Sequence, residues 1–356
     1  MEESKINMNL FGHENAKQEI LRSIAIKRLP HAWLISGQKG IGKATLAFQM
    51  SYLIIQNNLC LHDQNPVAVD SLDWEKNFIK LDQSDVVLSK ILNFSHPQFL
   101  YISPDMDGKS KPEIIMENVR KVHGFLRLTS REGGWRIVMI DSAEKMNRNA
   151  QNAVLKIIEE PPNRVVIVLV SHSEGRLLPT IRSRCRRLTL QPVSVEHLKD
   201  LIKQYFPQLS SEEKVNLALL ANGSPGRAIE LMDSNGLELF NDIRELFYSI
   251  PEIDNTSLYQ FIDRFSGKNT HETFKVAIGV INWWLSNIII SAARGNPPQK
   301  LHEEKKLFSR LGAFGVTRWF HHKDKLEYFY KKTDILHLDK PQVILNFFLG
   351  LRELRK

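Results

Sequence analysis

Three short stretches carry the residue types that do chemistry on phosphates. The first is Gly37-Gln38-Lys39-Gly40-Ile41-Gly42-Lys43-Ala44, set between an apolar run, His31–Ser36, and a helical stretch opening at Lys43. Strand, glycine-rich turn and helix in that order make a phosphate cradle. The glycines let backbone N–H groups turn inward, the helix N-terminus adds positive potential, and a lysine at position 43 can reach the outer phosphates. The last position departs from the pattern. A Ser or Thr there would place a hydroxyl on Mg²⁺, and Ala44 has none. Thr45 is turned by about 100° around the helix and does not replace it. Productive Mg-ATP binding is therefore not expected. A loop that holds ATP or ADP without cleaving it and a purely structural glycine turn both stay open.

The second stretch is Ile137–Ile140 followed by Asp141-Ser142-Ala143-Glu144. A carboxylate at the end of a central strand lies where α/β sheets bind ligands, so Asp141 can assist a Mg²⁺; it can equally cap the helix that follows. Hydrolysis also wants a carboxylate beside it to orient water. Ser142 cannot act as that base, and Glu144, two residues on, is not assigned the role. Two catalytic requirements fail together, which argues against an ATPase. The third stretch, Leu178 to Arg187, holds Arg182, Arg184, Arg186 and Arg187. Such a cluster is either a solvated basic strand edge or a source of arginine for an anion on another molecule.

These groups need elements to hold them. Apolar runs at His31–Ser36, Ile137–Ile140 and Val165–Val170 suit strands buried on both faces. Helical spacing joins Ile115, Val119, Val122 and Leu126, and again Ala150, Ala153, Val154, Ile157 and Ile158, with Pro161-Pro162 ending the second run. Strands alternating with helices imply a parallel sheet with flanking helices. After about Leu190 the pattern is helical to the end, with Ser210 and Glu213 as a capping box and Asn222–Gly226 as a turn. The expected organisation is an α/β domain over residues 1–190, a small helical domain over 191–236 and a larger one over 237–356. Asn57–Gln98 shows no sustained period and reads as an insertion.

Composition bounds the rest. At roughly 150 residues per domain, 356 residues suggest two or three domains, and 42% hydrophobic with 25% charged residues excludes a mostly disordered or fibrous chain. A net charge of +8 permits contact with nucleic acid without establishing it. Two cysteines, Cys60 and Cys185, exclude a disulfide-rich scaffold and a multi-cysteine zinc cluster. Met1–Leu10 has no apolar core, so no signal peptide is expected. Val276–Ala293 carries no charge but includes Asn282, Ser286, Asn287 and Ser291, and reads as a buried helix rather than a membrane span. The cytoplasm is the expected compartment.

The order of motifs then becomes informative. Leu10-Phe11-Gly12-His13 and the Gly37–Lys43 loop precede Asp141-Ser142-Ala143-Glu144-Lys145-Met146-Asn147. Ala150-Gln151-Asn152-Ala153-Val154-Leu155-Lys156 runs on to Glu159-Glu160-Pro161-Pro162. Leu177-Leu178-Pro179-Thr180-Ile181-Arg182-Ser183-Arg184-Cys185 follows, then Gly223-Ser224-Pro225-Gly226-Arg227-Ala228. Over about residues 10–230 this resembles the AAA+ clamp-loader subunits of bacterial DNA polymerase III. The resemblance implies an α/β AAA+ domain, a helical lid and a helical C-terminal collar, in a five-subunit arc that places a sliding clamp on primed DNA. The implied partners are tau/gamma and delta subunits, with the clamp and DNA reached through the complex.

The resemblance also assigns residues. Ser183-Arg184-Cys185 matches a motif whose arginine reaches ATP held by the neighbouring tau/gamma subunit, which would make Arg184 a trans arginine finger. Arg227 matches the nucleotide-sensing arginine of the lid, and with Ala44 and Ser142 in place it reads equally well as one half of a structural ion pair. Ser171-His172-Ser173 falls in the first sensor region and carries little weight. Many relatives hold zinc through four cysteines in an insertion; Cys60 and His62 alone do not provide four ligands, so no metal is expected. Cys185 reads as a small buried residue. The reading is thus a non-hydrolysing clamp-loader subunit within a nucleotidyltransferase complex, with Gly37, Gly40, Gly42, Lys43, Asp141 and Arg227 as a degenerate nucleotide site that needs no cofactor. The alternatives are an active AAA+ ATPase with an atypical loop and a DNA-binding accessory module.

Overall fold

A computed structural model describes residues 10–26, 28–56, 85–104, 113–127, 134–267, 270–295, 304–336 and 338–355. They fall into two compact units. One runs to Ser194 and takes in Ser224–Gly226; the other comprises Val195–Gly223 and Arg227 onward.

The first unit alternates helix and strand: α1 (Glu14–Ala25), β1 (Ala32–Ser36), α2 (Lys43–Gln56), α3 (Val86–Leu92), β2 (Phe99–Ile102), α4 (Met116–Arg127), β3 (Arg136–Ile140), α5 (Arg148–Glu159), β4 (Val165–Ser171), α6 (Pro179–Arg184) and β5 (Arg186–Thr189). The strands form one sheet in the order β2-β3-β4-β1-β5, every neighbouring pair parallel. Side chains alternate across a strand, so each continuous apolar run feeds two cores. Trp33, Ile35, Ile137, Met139, Val166, Val168 and Val170 pack on one face with α2. Leu34, Val138, Ile140, Ile167 and Leu169 pack on the other with Val119, Val122, Val154 and Ile158. The register sets Ser36 of β1 beside Ser171 of β4, and Met139 of β3 beside Val168.

Helix ends follow local chemistry. Asn147 caps α5 by accepting from the Ala150 N–H at 2.9 Å, and Pro161-Pro162 follow its end. Within the stretch without a period, Asp85 caps α3, accepting from Val87 and Leu88 at 2.8 and 3.0 Å, and β2 follows the stretch. A helix of 7 residues and a strand of 4 are too short to display a period. Residues 57–84 of that insertion, with Cys60 and His62, lie outside the described residues.

The second unit is helical: α7 (Val195–Tyr205), α8 (Ser211–Ala221), α9 (Pro225–Asp233, whose first residues group with the α/β unit), α10 (Gly236–Tyr248), α11 (Asn255–Asp263), α12 (His271–Arg294), α13 (Lys305–Gly312), α14 (Val316–Leu336) and α15 (Lys340–Leu351). The expected capping box opens α8: Glu213 N–H donates to Ser210 Oγ at 3.2 Å, and Ser210 N–H to Glu213 Oε2 at 2.8 Å. By length and composition α12 is apolar enough to cross a membrane. Its apolar side chains are instead the centre of this unit, with α10, α13 and α14 packed against it. Trp284 lies 5.5–5.6 Å from the rings of Phe240, Phe247 and Phe308. Ion pairs fasten α8 to α10 through Glu212–Arg244 (3.6 Å), and α9 to α12 through Glu230–Lys275 (2.9 Å).

Leu169, fully buried between β1 and β3, tests this account of the sheet. Leu169→Ala is expected to destabilise the α/β unit by about 2–5 kcal/mol in chemical denaturation. Ile26→Ala, at a position 59% exposed, is expected to change stability by less than about 0.5 kcal/mol.

Candidate phosphate loop and arginine site

Because the strands are parallel, their C-terminal ends share one edge of the sheet, and the loop after β1 meets the turn after β3 there. Gly37 and Gly42 have φ of +143° and +103°, a region that side chains rarely adopt. Space also excludes a side chain at Gly37, against fixed backbone, while at Gly42 the neighbour is the movable end of Leu10. A Cβ on Gly37 would lie 2.6 Å from the Leu190 carbonyl oxygen, and one on Gly42 would lie 2.5 Å from a Leu10 methyl.

Lys43 begins α2 and is 3% exposed. Its Nζ donates to the Gln38 carbonyl, inside its own loop, at 2.5 Å. Burial pulls the ammonium down to about 8, against the opposing attraction of Asp141 and Glu144. Asp141 sits at the end of β3 and accepts from the Tyr101 hydroxyl at 3.1 Å and the Ser142 N–H at 2.7 Å. Its pKa is pushed up by burial, which those two bonds and the Lys43 charge oppose. The turn after Asp141 is a short 3-10 turn beginning at Ala143, so Asp141 caps no helix directly. Glu144 is tied to the exit of β4, where its Oε2 accepts from Ser171 Oγ at 2.8 Å and His172 N–H at 3.1 Å.

The loop is also held from outside. His13 Nε2 donates to the Ile41 carbonyl at 2.8 Å, and burial lowers the pKa of that ring. Ser224 Oγ donates to the Lys39 carbonyl at 2.9 Å, and Gly226 N–H to the Gly40 carbonyl at 2.9 Å. Gly37, Gly40, Gly42, Lys43 and Asp141 therefore gather at one edge of the sheet. Arg227 belongs to the second unit, where its guanidinium lies on α12 and would stand 3.4 Å from a Cβ on Gly279. Burial lowers its pKa, with Glu230 opposing.

The arginine motif occupies α6, away from the loop in sequence. Arg184, the last residue of that helix, donates to the Thr180 carbonyl at 3.3 Å and pairs with Glu159 Oε1 at 3.0 Å. Its side chain remains 43% exposed. Ser183 Oγ donates to the same Thr180 carbonyl at 3.0 Å. Cys185 is buried, and burial pushes its thiol up to about 12, so it is protonated and unreactive at neutral pH. Arg186 pairs with Glu19 of α1, and Arg187 donates to the Arg182 carbonyl at 3.0 Å. Buried Gln151 of α5 sets the approach to α6. Its Nε2 donates to the Met146 and Arg176 carbonyls at 3.0 and 3.3 Å, and its Oε1 accepts from Leu178 N–H at 2.8 Å.

Tyr101, and the bonds made by Ser224, Gly226 and Glu159, were not foreseen as parts of these sites. Tyr101 and Asp141 are 40 residues apart, and Ser224 and Lys39 are 185 apart. Pairings at such separations leave no period in a sequence. Among the described residues no group of three or more His, Cys, Asp or Glu is arranged to hold a metal.

A family model described as DNA polymerase III, delta subunit, matches residues 12–194. Over 195 residues the chain is 31% identical to the DNA polymerase III subunit delta' of Pseudomonas aeruginosa, covering 55% of this chain and 53% of that protein. It is 28% identical to the Escherichia coli subunit delta' (68% of this chain, 66% of that protein). It is 24% identical to the subunit gamma of Buchnera aphidicola (68% and 64%). The matches thus span about half to two-thirds of these relatives' own lengths. The matched residues run from just before α1 through the loop, the Asp141 turn and the Arg184 helix, and on that match the chain belongs to the DNA polymerase III delta-subunit family, with the delta-prime members.

Proposed function

We propose that this chain is a non-hydrolysing delta-prime-type subunit of the DNA polymerase III clamp loader, working in the bacterial cytoplasm. In this reading it joins tau/gamma and delta subunits, helps them place the sliding clamp on primed DNA, and lends Arg184 to ATP bound by a tau/gamma neighbour. Residues 191–236 act as the lid and residues 237–356 as the collar through which the subunits associate. No cofactor or zinc is required.

The contrast between two cations carries the reading. Lys43, 3% exposed, is turned onto a carbonyl of its own loop. Arg184 stands 43% exposed at a helix end. The lysine that would serve a nucleotide in cis is used internally, and the arginine that would serve one in trans faces outward. Further support comes from Ala44, which offers Mg²⁺ no hydroxyl, and from Glu144, whose carboxylate is engaged by Ser171 and His172. A guanidinium directed at a triphosphate stabilises the charge that develops as the terminal phosphoryl group is transferred.

The isolated 356-residue chain is expected to turn over no ATP in the presence of Mg²⁺. In side-chain NMR its Lys43 amine titrates at about 8, with and without saturating Mg-ATP; phosphates seated in the loop would drive that midpoint upward. In the reconstituted complex, Arg184→Ala is expected to slow hydrolysis at the facing site by a factor on the order of 10³ and to slow clamp loading on primed DNA. Its thermal unfolding should match the unsubstituted chain. Normal loading by that complex would refute the trans role.

A further inference from the structure

The partner of Arg184 is itself unusual in its placement. Glu159 is the last residue of α5, followed by Glu160 and then Pro161-Pro162. The C-terminus of a helix carries partial negative charge and favours cations there. Two successive carboxylates at that end oppose the helix dipole, so they are not there to stabilise α5. For Glu159 the structure supplies another use, the 3.0 Å contact between its Oε1 and Arg184 Nη2.

We propose that Glu159 is a positioning residue for Arg184, holding its guanidinium at the angle from which it meets the triphosphate of the neighbouring subunit. The inference rests on the trans-arginine reading above. An arginine side chain is long and flexible, and fixing it only at the moment of docking would cost conformational entropy. Here two contacts fix it beforehand: Nη1 on the Thr180 carbonyl of its own helix and Nη2 on the carboxylate of α5. A guanidinium has five N–H donors in a rigid fork. Two are used, so three remain for phosphate oxygens without breaking either contact. With side chains 43% and 40% exposed, water screens the pair, and it contributes little to stability. It therefore orients the arginine without neutralising it towards a denser anionic charge. Gln151, through the loop that leads into α6, fixes the other end of the same assembly.

The test uses the reconstituted clamp-loader complex with clamp and primed DNA, comparing Glu159→Gln, Glu159→Ala, Arg184→Ala and the double variant Glu159→Gln/Arg184→Ala. We expect either substitution at 159 to lower the kcat for ATP about three- to tenfold with KM unchanged within about twofold, and Glu159→Asp to recover part of the loss. The double variant should be no slower than Arg184→Ala, and thermal unfolding of each chain should be unaltered. A normal or raised kcat in the position-159 variants, alongside a slow Arg184→Ala complex, would overturn the positioning role alone. Losses that multiply in the double variant would also overturn it, since Glu159 would then act independently of Arg184. A normal rate for Arg184→Ala would overturn the trans reading and this inference together.

Discussion

Parallel pairing of β1, β4 and β3 decides where every polar group of the α/β unit goes. With Ser36 beside Ser171, and Met139 beside Val168, the three strands end at nearly the same height. The loop after β1, the acidic turn after β3 and the exit of β4 then converge on one edge. Both sheet faces are consumed by apolar packing, so that edge is where backbone and charged side chains of the three connections must settle their hydrogen bonds. Burying a polar group unpaired is expensive. The arrangement answers with internal partners: Gln38 for Lys43, Tyr101 for Asp141, and Ser171 for Glu144.

That self-sufficiency separates two regions of the same unit. Around the phosphate loop the donors and acceptors are turned towards each other, and contacts from His13, Ser224 and Gly226 hold the loop carbonyls. At the end of α6 and the start of β5, Arg184 and Arg186 stand partly exposed, each in direct contact with a carboxylate. The loop's contacts are thus all made within the unit, whereas Arg184 keeps three of its five N–H donors beyond the two contacts that hold it.

The sequence made much of this legible where patterns are long or local. The VVIVLV run of β4, the amphipathic α5 and the Ser210–Glu213 box depend on neighbours within a few residues, and each has the structure its spacing implies. The glycine-rich turn after β1 and the arginine-bearing helix before β5 were legible as strings of residue types, but their roles were not. Short elements such as α3 and β2 were not, because a turn or two of helix and four residues of strand cannot establish a period. The internal partners were equally hidden. Nothing in the types of Lys43 and Gln38 tells that the ammonium folds back onto that carbonyl, and nothing local links Tyr101 to Asp141.

Gly37 and Gly42 have a consequence for how such chains are recognised. The Leu190 carbonyl and a Leu10 methyl fill the places where their side chains would project, and both residues take backbone angles that larger ones avoid. A fixed backbone carbonyl at Gly37, and the backbone angle at both positions, therefore keep them bare with no triphosphate needed to enforce it. Glycines at these two positions therefore answer to the shape of the turn itself, and their presence alone does not report nucleotide turnover.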